Sequence, residues 1–282
     1  MIAIDKELIK RNIFYKAYPV VDVFPKAKWH KNRNKQIDAD NKYSSQALAI
    51  DVFGTLRECK DKDIIINYLF NTQGENWEVD FEFDDKTLLN ESKYPTQIDV
   101  KLESKNKIIL FECKFTENDG GACSQPKANN SQKKPQCNGN YELQINPINN
   151  KKSFCALSAK DIKYWDYIAK TYNLDVNNPI IPCPFKGGEY QWMRNVCLGC
   201  SLGEREKKEV KVYICYADFP SCPIKKKMDK GYLNIINSNL RENYHISTIT
   251  YQAIIEAGIK LSTGSEHSDW LNLRDWIQNK GE

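Results

Sequence analysis

Residues 96–117, TQIDVKLESKNKIILFECKFTE, constrain the fold more than any other stretch. Apolar and polar residues alternate on both sides of Lys105-Asn106, and successive side chains of a strand point to opposite faces. Ile98, Val100 and Leu102 therefore share a face with Ile109, Phe111, Cys113 and Phe115 once the chain turns back. Asp99, Lys101 and Glu103 take the other face, with Glu112 and Lys114. A hairpin turning at Lys105-Asn106 sets Asp99 opposite Glu112 and keeps the apolar rows together; a slip of one residue separates them. The pairing predicts two carboxylates on neighbouring strands, with an ammonium two residues further along the same face. Like charges so close stay ionised when a cation joins them. Oxygen ligands suit magnesium, or manganese, and a lysine beside such an ion can orient a bound water and help it lose its proton.

The tripeptide Glu-x-Lys occurs six times, so context has to choose among the copies. Glu58-Cys59-Lys60 lies in a polar stretch, and Glu209-Val210-Lys211 has no apolar run leading in. Glu112-Cys113-Lys114 ends such a run and faces an aspartate. The bland alternative is an amphipathic hairpin with a solvated polar face. Asp99…Glu112-Cys113-Lys114 resembles the signature of the PD-(D/E)XK nuclease superfamily, the restriction-endonuclease-like phosphodiesterases. Residues NGNY (138–141) and CPFKGGEYQWMRN (183–195) are also similar to those of a restriction-endonuclease-like bacterial group. The resemblance spans about residues 44–217. It implies an α/β core ordered helix, three strands, helix, strand, with a mixed central sheet flanked by helices. It further implies magnesium-dependent DNA cleavage that leaves a 5′-phosphate, with the ion on Asp99, Glu112 and the backbone carbonyl of Cys113. A helix before the sheet often presents a polar side chain to the metal in this superfamily, which points to Gln46. The second core helix often carries Gln or Arg beside the site, which points to Gln191 and Arg194.

The flanking sequence divides the chain into a basic, aromatic N-terminal segment (1–43), the core (44–117 and 184–220), a Cys-rich insertion (118–183) and a C-terminal helical region packed on the core (221–282). In the first segment Lys28 and Arg33 belong to a basic run that either touches DNA phosphates or is solvated surface, with Trp29 available to stack on a base. Ser44 or Ser45 caps a helix that Gly54 stops; Asp51 on it is expected to be exposed. Further helices are expected over about 61–70, 162–172, 251–257 and 270–277, and strands over 77–83 and 210–216. Arg194 and Gln191, at i, i+3 on one helix face, and the nearby Lys186 are candidates for phosphate contact.

The start of the chain carries charges where a signal peptide needs its apolar region, and no stretch is long enough to span a bilayer, so a cytoplasmic protein without a membrane partner is expected. Its ten cysteines are then reduced thiols or metal ligands. Cys123, Cys137, Cys155 and Cys183 could fill a tetrahedral zinc site or an iron–sulfur cluster, although their spacing lacks the usual C-x-x-C knuckle; buried free thiols are the alternative. Cys197-x-x-Cys200 reads as helix packing, with membership of such a cluster as the alternative. The histidines, His30, His245 and His267, are scattered and expected at the surface or in packing. The leading expectation is a magnesium-dependent DNA endonuclease of restriction or defence type, with a homodimer compatible with cutting two strands. The alternative is a non-cleaving nucleic-acid-binding module with a zinc-stapled insertion.

Overall fold

The three alternating stretches before residue 117 become consecutive antiparallel strands: β1 (Glu78–Asp84), β2 (Gln97–Glu103) and β3 (Lys107–Lys114). The structure is a computed structural model and describes residues 5–32, 34–126, 137, 155–173, 183, 185 and 187–281. The Ser104 N–H donates to the Lys107 carbonyl at 2.9 Å, closing the turn around Lys105-Asn106. Val100 pairs with Phe111 and Leu102 with Ile109, the register that sets position 99 opposite position 112. β4 (Glu209–Tyr216) runs parallel to β3, and β5 (Ser247–Thr250) runs parallel to β4. The result is a five-stranded mixed sheet in the order β1-β2-β3-β4-β5. β5 lies within the segment expected to be wholly helical; four residues are too few for alternation to reveal a strand.

Helices cover the sheet. Among the described residues the α-helices are, in chain order, α1 (Lys6–Lys10), α2 (Tyr18–Val23), α3 (Ser45–Ala49), α4 (Thr55–Glu58), α5 (Lys62–Leu69), α6 (Tyr164–Thr171), α7 (Tyr190–Glu206), α8 (Pro223–Met228), α9 (Tyr232–Ser238), α10 (Tyr251–Leu261) and α11 (Gly264–Gly281). On one face Phe111 packs against Phe53 and Phe70, with ring centroids 4.9 and 5.8 Å apart. On the other face α7 lies so close that a Cβ on Gly199 would sit 3.2 Å from Val210 and 3.4 Å from Leu110. A strand beside a parallel neighbour and covered on both faces tends to read as a continuous apolar run. That is why Ile108 and Leu110 are buried as fully as Ile109 and Phe111.

Ser44 caps α3 as expected, its hydroxyl accepting from the Ala47 N–H at 3.2 Å. Gly54 does not end the helix. The chain passes through a π-turn over Ile50–Gly54 into α4, and a Cβ on Gly54 would come 2.7 Å from the Cβ of Ala17. Glycine is there for close approach of the N-terminal segment. Asp51, expected to be exposed, is completely buried on the same turn. It accepts from the Phe14 N–H at 2.6 Å, from Lys280 Nζ at 2.6 Å and from Trp276 Nε1 at 3.2 Å. One carboxylate thus ties the N-terminal segment and α11 to the helix that leads away from α3. Trp29 is likewise buried, its ring 4.2 Å from that of Phe24, so it is core and not a stacking platform. Cys197 and Cys200 are buried on α7, in line with packing. Among the described residues no helix is long and apolar enough to cross a membrane.

Candidate active site

The polar face of the β2–β3 hairpin is not solvated. Glu112 and Lys114 are each only 3% exposed, under α7. Lys114 Nζ lies 2.8 Å from Glu112 Oε1 and donates to Gln191 Oε1 at 3.1 Å, while Asn195 Nδ2 donates to Glu112 Oε2 at 2.6 Å. Gln191 and Asn195 stand one turn apart on α7, so it is the i, i+4 pair that faces the hairpin. Asn195 was missed in the sequence because Arg194 drew attention to the wrong stripe. Asp99 Oδ2 accepts from the Cys113 N–H at 2.6 Å, which fixes its carboxylate beside the end of β3.

A third carboxylate joins them. Phe81 pairs with Val100 and Phe83 with Ile98, so Glu82 of β1 comes opposite Asp99. Glu82 is 3% exposed and holds φ at 52°, a left-handed value that costs a non-glycine residue on the order of 1 kcal/mol or more. Gln46 on α3 donates to Glu82 Oε1. The same amide donates to the Lys28 carbonyl at 3.0 Å and accepts from the His30 N–H at 2.9 Å. His30 Nε2 stands 3.3 Å from Glu82 Oε2. Ligand atoms of His30, Glu82 and Asp99 all lie within 4.8 Å of one another, the geometry of a candidate metal site. His30 was expected at the surface or in packing; the residues after Trp29 instead fold back over β1 and carry it into the acidic cluster. Only the ladder register could have flagged Glu82 from sequence.

The electrostatics follow from crowding. Burial, then the fields of Glu112 and Glu82, hold the Asp99 carboxyl well above the usual carboxylate range, against the opposing pull of Lys114 and His30. Burial disfavours charge on Lys114, yet Glu112, Asp99 and Glu117 outweigh it, and its ammonium holds its proton more tightly than a free lysine. Burial likewise works against a charged His30, but the hydrogen bond and charge of Glu82 dominate and raise its imidazole to about 9. A folded-state value above the unfolded one of about 6.5 adds stability that is full below about pH 6.5 and lost as pH rises through about 9. Asp99 acts in the same sense. Cation-free protein in chelator is therefore expected to melt at a higher temperature at pH 6.5 than at pH 9, and His30→Ala should shrink that gap. The His30 side chain is 43% exposed, so the effect is tempered by solvent. An unchanged gap in the variant would remove His30 from the cluster's charge balance.

The sequence model of a family described as restriction endonuclease associating with ARP, REase-ARP, matches residues 5–274. The chain belongs to that family. No curated protein and no solved structure matches it. REase-ARP membership is consistent with the restriction-endonuclease-like superfamily that the hairpin signature resembles.

The other candidates in this REase-ARP chain take varied places. Arg194 donates from Nε to Thr96 Oγ1 at 3.1 Å, pairs with buried Glu91 at 3.3 Å, and lies over the Tyr190 ring. Lys28 pairs with Asp84 and donates to the Glu82 carbonyl at 2.8 Å, behind the carboxylate cluster. Arg33 and Lys186 lie outside the described residues. Cys123 N–H donates to the Phe185 carbonyl at 2.9 Å and Cys137 N–H to the Gln125 carbonyl at 3.3 Å. Cys123, Cys137 and Cys155 lie near enough for their charges to reach Cys183, but among the described residues the four are not a group that could hold a metal ion. Burial, then the neighbouring thiols, pushes Cys183 up to about 12.

Proposed function

We propose that this chain is a divalent-metal-dependent DNA endonuclease built on a restriction-endonuclease-like core, with Asp99, Glu112 and Lys114 as its reactive constellation. The observation that carries the proposal is the crowding of half-buried Asp99 between buried Glu82 and buried Glu112, with Lys114 and His30 as the cations among them. Buried carboxylates at such spacing are costly unless a further positive charge joins them. The donor set fits a magnesium or manganese ion held by Asp99, Glu112 and the Cys113 carbonyl. Bound there, the ion would act as a Lewis acid, offsetting charge that develops on the attacked phosphate.

The chain's own residues supply the rest. The fields of Glu112, Asp99 and Glu117 favour the ammonium form of Lys114, which would orient the attacking water as a charged donor. Gln191 holds that ammonium in place from α7, and Asn195 fixes the far oxygen of Glu112. Gln46 acts through Glu82 and is a positioning residue. The scissile bond is the one between phosphorus and the 3′-oxygen, which leaves the phosphate on the 5′ end. The family's name joins its endonucleases to ARP, and we extend that association to this chain as a partner.

Plasmid cleavage tests the reading. Nicking or linearisation should require magnesium or manganese, stop in EDTA and return when the metal is restored, and sequenced ends should carry 5′-phosphates. Cleavage that persists in chelator would point to another chemistry, and the absence of cleavage with either metal would favour a binding module that does not cut.

A further inference from the structure

We propose that the DNA strand in the cleft is unpaired, and that Tyr43 and Tyr94 hold it by stacking on its bases beside the reactive groups. The substrate class is then single-stranded DNA, or the single-stranded part of a fork. The proposal rests on the reading of the cleft as a DNA endonuclease and names what that endonuclease prefers.

Among the described residues the exposed tyrosines are Tyr15, Tyr43, Tyr68 and Tyr94. Two of them are engaged within the protein: Tyr15 donates to Asp269, and the Tyr68 hydroxyl accepts from Lys260 Nζ at 2.9 Å. The hydroxyls of Tyr43 and Tyr94 have no partner among the described residues. These two also share a sequence form, KYSSQ at 42–46 and KYPTQ at 93–97. In each, the lysine lies over the ring that follows it, at 5.7 Å for Lys42 and 5.4 Å for Lys93.

Both segments run into the site. Gln46 closes the first and donates to Glu82; Gln97 closes the second and opens β2, two residues before Asp99. Antiparallel pairing puts the start of β2 and the end of β3 at one end of the sheet, where Lys114 lies. The Tyr43 ring is 6.2 Å from that of Phe115, the residue after Lys114. Its backbone N–H donates to Asn41 Oδ1 at 3.0 Å, just ahead of the Ser44 cap. Tyr94, 77% exposed, stands between two anchors. Buried Glu91 accepts from the Thr96 N–H at 2.7 Å, and Thr96 Oγ1 accepts from Arg194 Nε at 3.1 Å. A ring on backbone fixed in this way loses little freedom when a base stacks on it.

A ring beside an ammonium is the pairing that grips single strands, with the base on the ring and the phosphate on the cation. Within a duplex the bases already cover one another, and exposing one costs unstacking energy. Two such rings therefore favour a strand whose bases are free.

Fluorescence anisotropy of the full chain in EDTA, with one labelled DNA strand alone and as a blunt duplex, tests this. Wild type should bind the single strand at least about tenfold more tightly than the duplex, and cut it faster in magnesium. Tyr43→Ala and Tyr94→Ala should each weaken single-strand binding about tenfold, whereas Tyr43→Phe and Tyr94→Phe should preserve it, because the ring and not the hydroxyl stacks. Tyr68→Ala, an exposed tyrosine on α5, should match wild type. Binding of the duplex as tight as that of the single strand, or wild-type affinity in either alanine variant, would overturn the inference while leaving a duplex-cutting endonuclease in place. Tyrosine-dependent preference for the single strand, without cleavage in magnesium or manganese, would uphold the stacking surface and overturn the endonuclease reading.

Discussion

Lys114→Met protein should fold, bind DNA and cleave it about a hundred- to a thousand-fold more slowly than wild type, the scale seen when one charge-stabilising group is removed from an active site. Methionine matches the lysine stem and keeps the packing under α7, where the ammonium is almost fully enclosed. The change strands the buried Glu112 carboxylate with Asn195 but without its cation, so a loss of about 3–5 kcal/mol in the cation-free protein accompanies the loss of rate. Asp99→Asn should be as inactive but more stable. The Asp99 carboxyl is held above its normal range by burial and by Glu112 and Glu82, so removing its charge relieves the cation-free fold. A gain of about 1–3 kcal/mol is expected near neutral pH, with the amide oxygen still able to accept from Cys113. Supercoiled plasmid assays and chelator-treated melting curves report both quantities. Cleavage by Lys114→Met within tenfold of wild type would dismiss its assigned role, and an Asp99→Asn melting temperature below wild type would contradict the crowding of charge.

The second large effect lies far from the chemistry. Lys280→Met should destabilise the protein by about 3–5 kcal/mol at neutral pH, the cost of stranding one member of a buried ion pair. Lys280 is 4% exposed and Asp51 is fully buried, and they meet at 2.6 Å. Burial already biases Asp51 toward its neutral form, and Lys280 opposes that. In the variant the carboxyl will bind a proton, so the penalty should shrink on acidification. Urea unfolding at pH 7.5 and 5.5 measures it. Adding Asp51→Asn to Lys280→Met should recover part of the loss, because the stranded charge is gone. A penalty below about 1 kcal/mol at pH 7.5 would mean that the pair is not the clasp its geometry describes.

Much of the site's centre was legible because strand alternation and a four-residue turn leave one register. Asp99, Glu112 and Lys114 fall on one face by counting alone, and the ladder realises that count. The outer ring was not legible, for a physical reason. Glu82 joins through pairing of β1 with β2, and between those strands lies a long connection whose length carries no register signal. His30 and Gln46 meet Glu82 through tertiary folding of the N-terminal segment, which no local period encodes. Gly54 misled for a related reason. A glycine near a helix end suggests a stop, whereas here it makes room for Ala17 against a helix that continues. Burial of Asp51 was invisible too, since its partners Phe14 and Lys280 come from opposite ends of the sequence.

The strand order has a bearing on assembly. Among the described residues β1 and β5 border the sheet, and strands at a border are where one molecule commonly adds itself to another. β5 is four residues long, and on β1 the Glu82 carbonyl is already occupied by the Lys28 ammonium. With β1 also interrupted at Glu82, where φ is 52°, neither margin among the described residues offers a long regular row for a further strand to join.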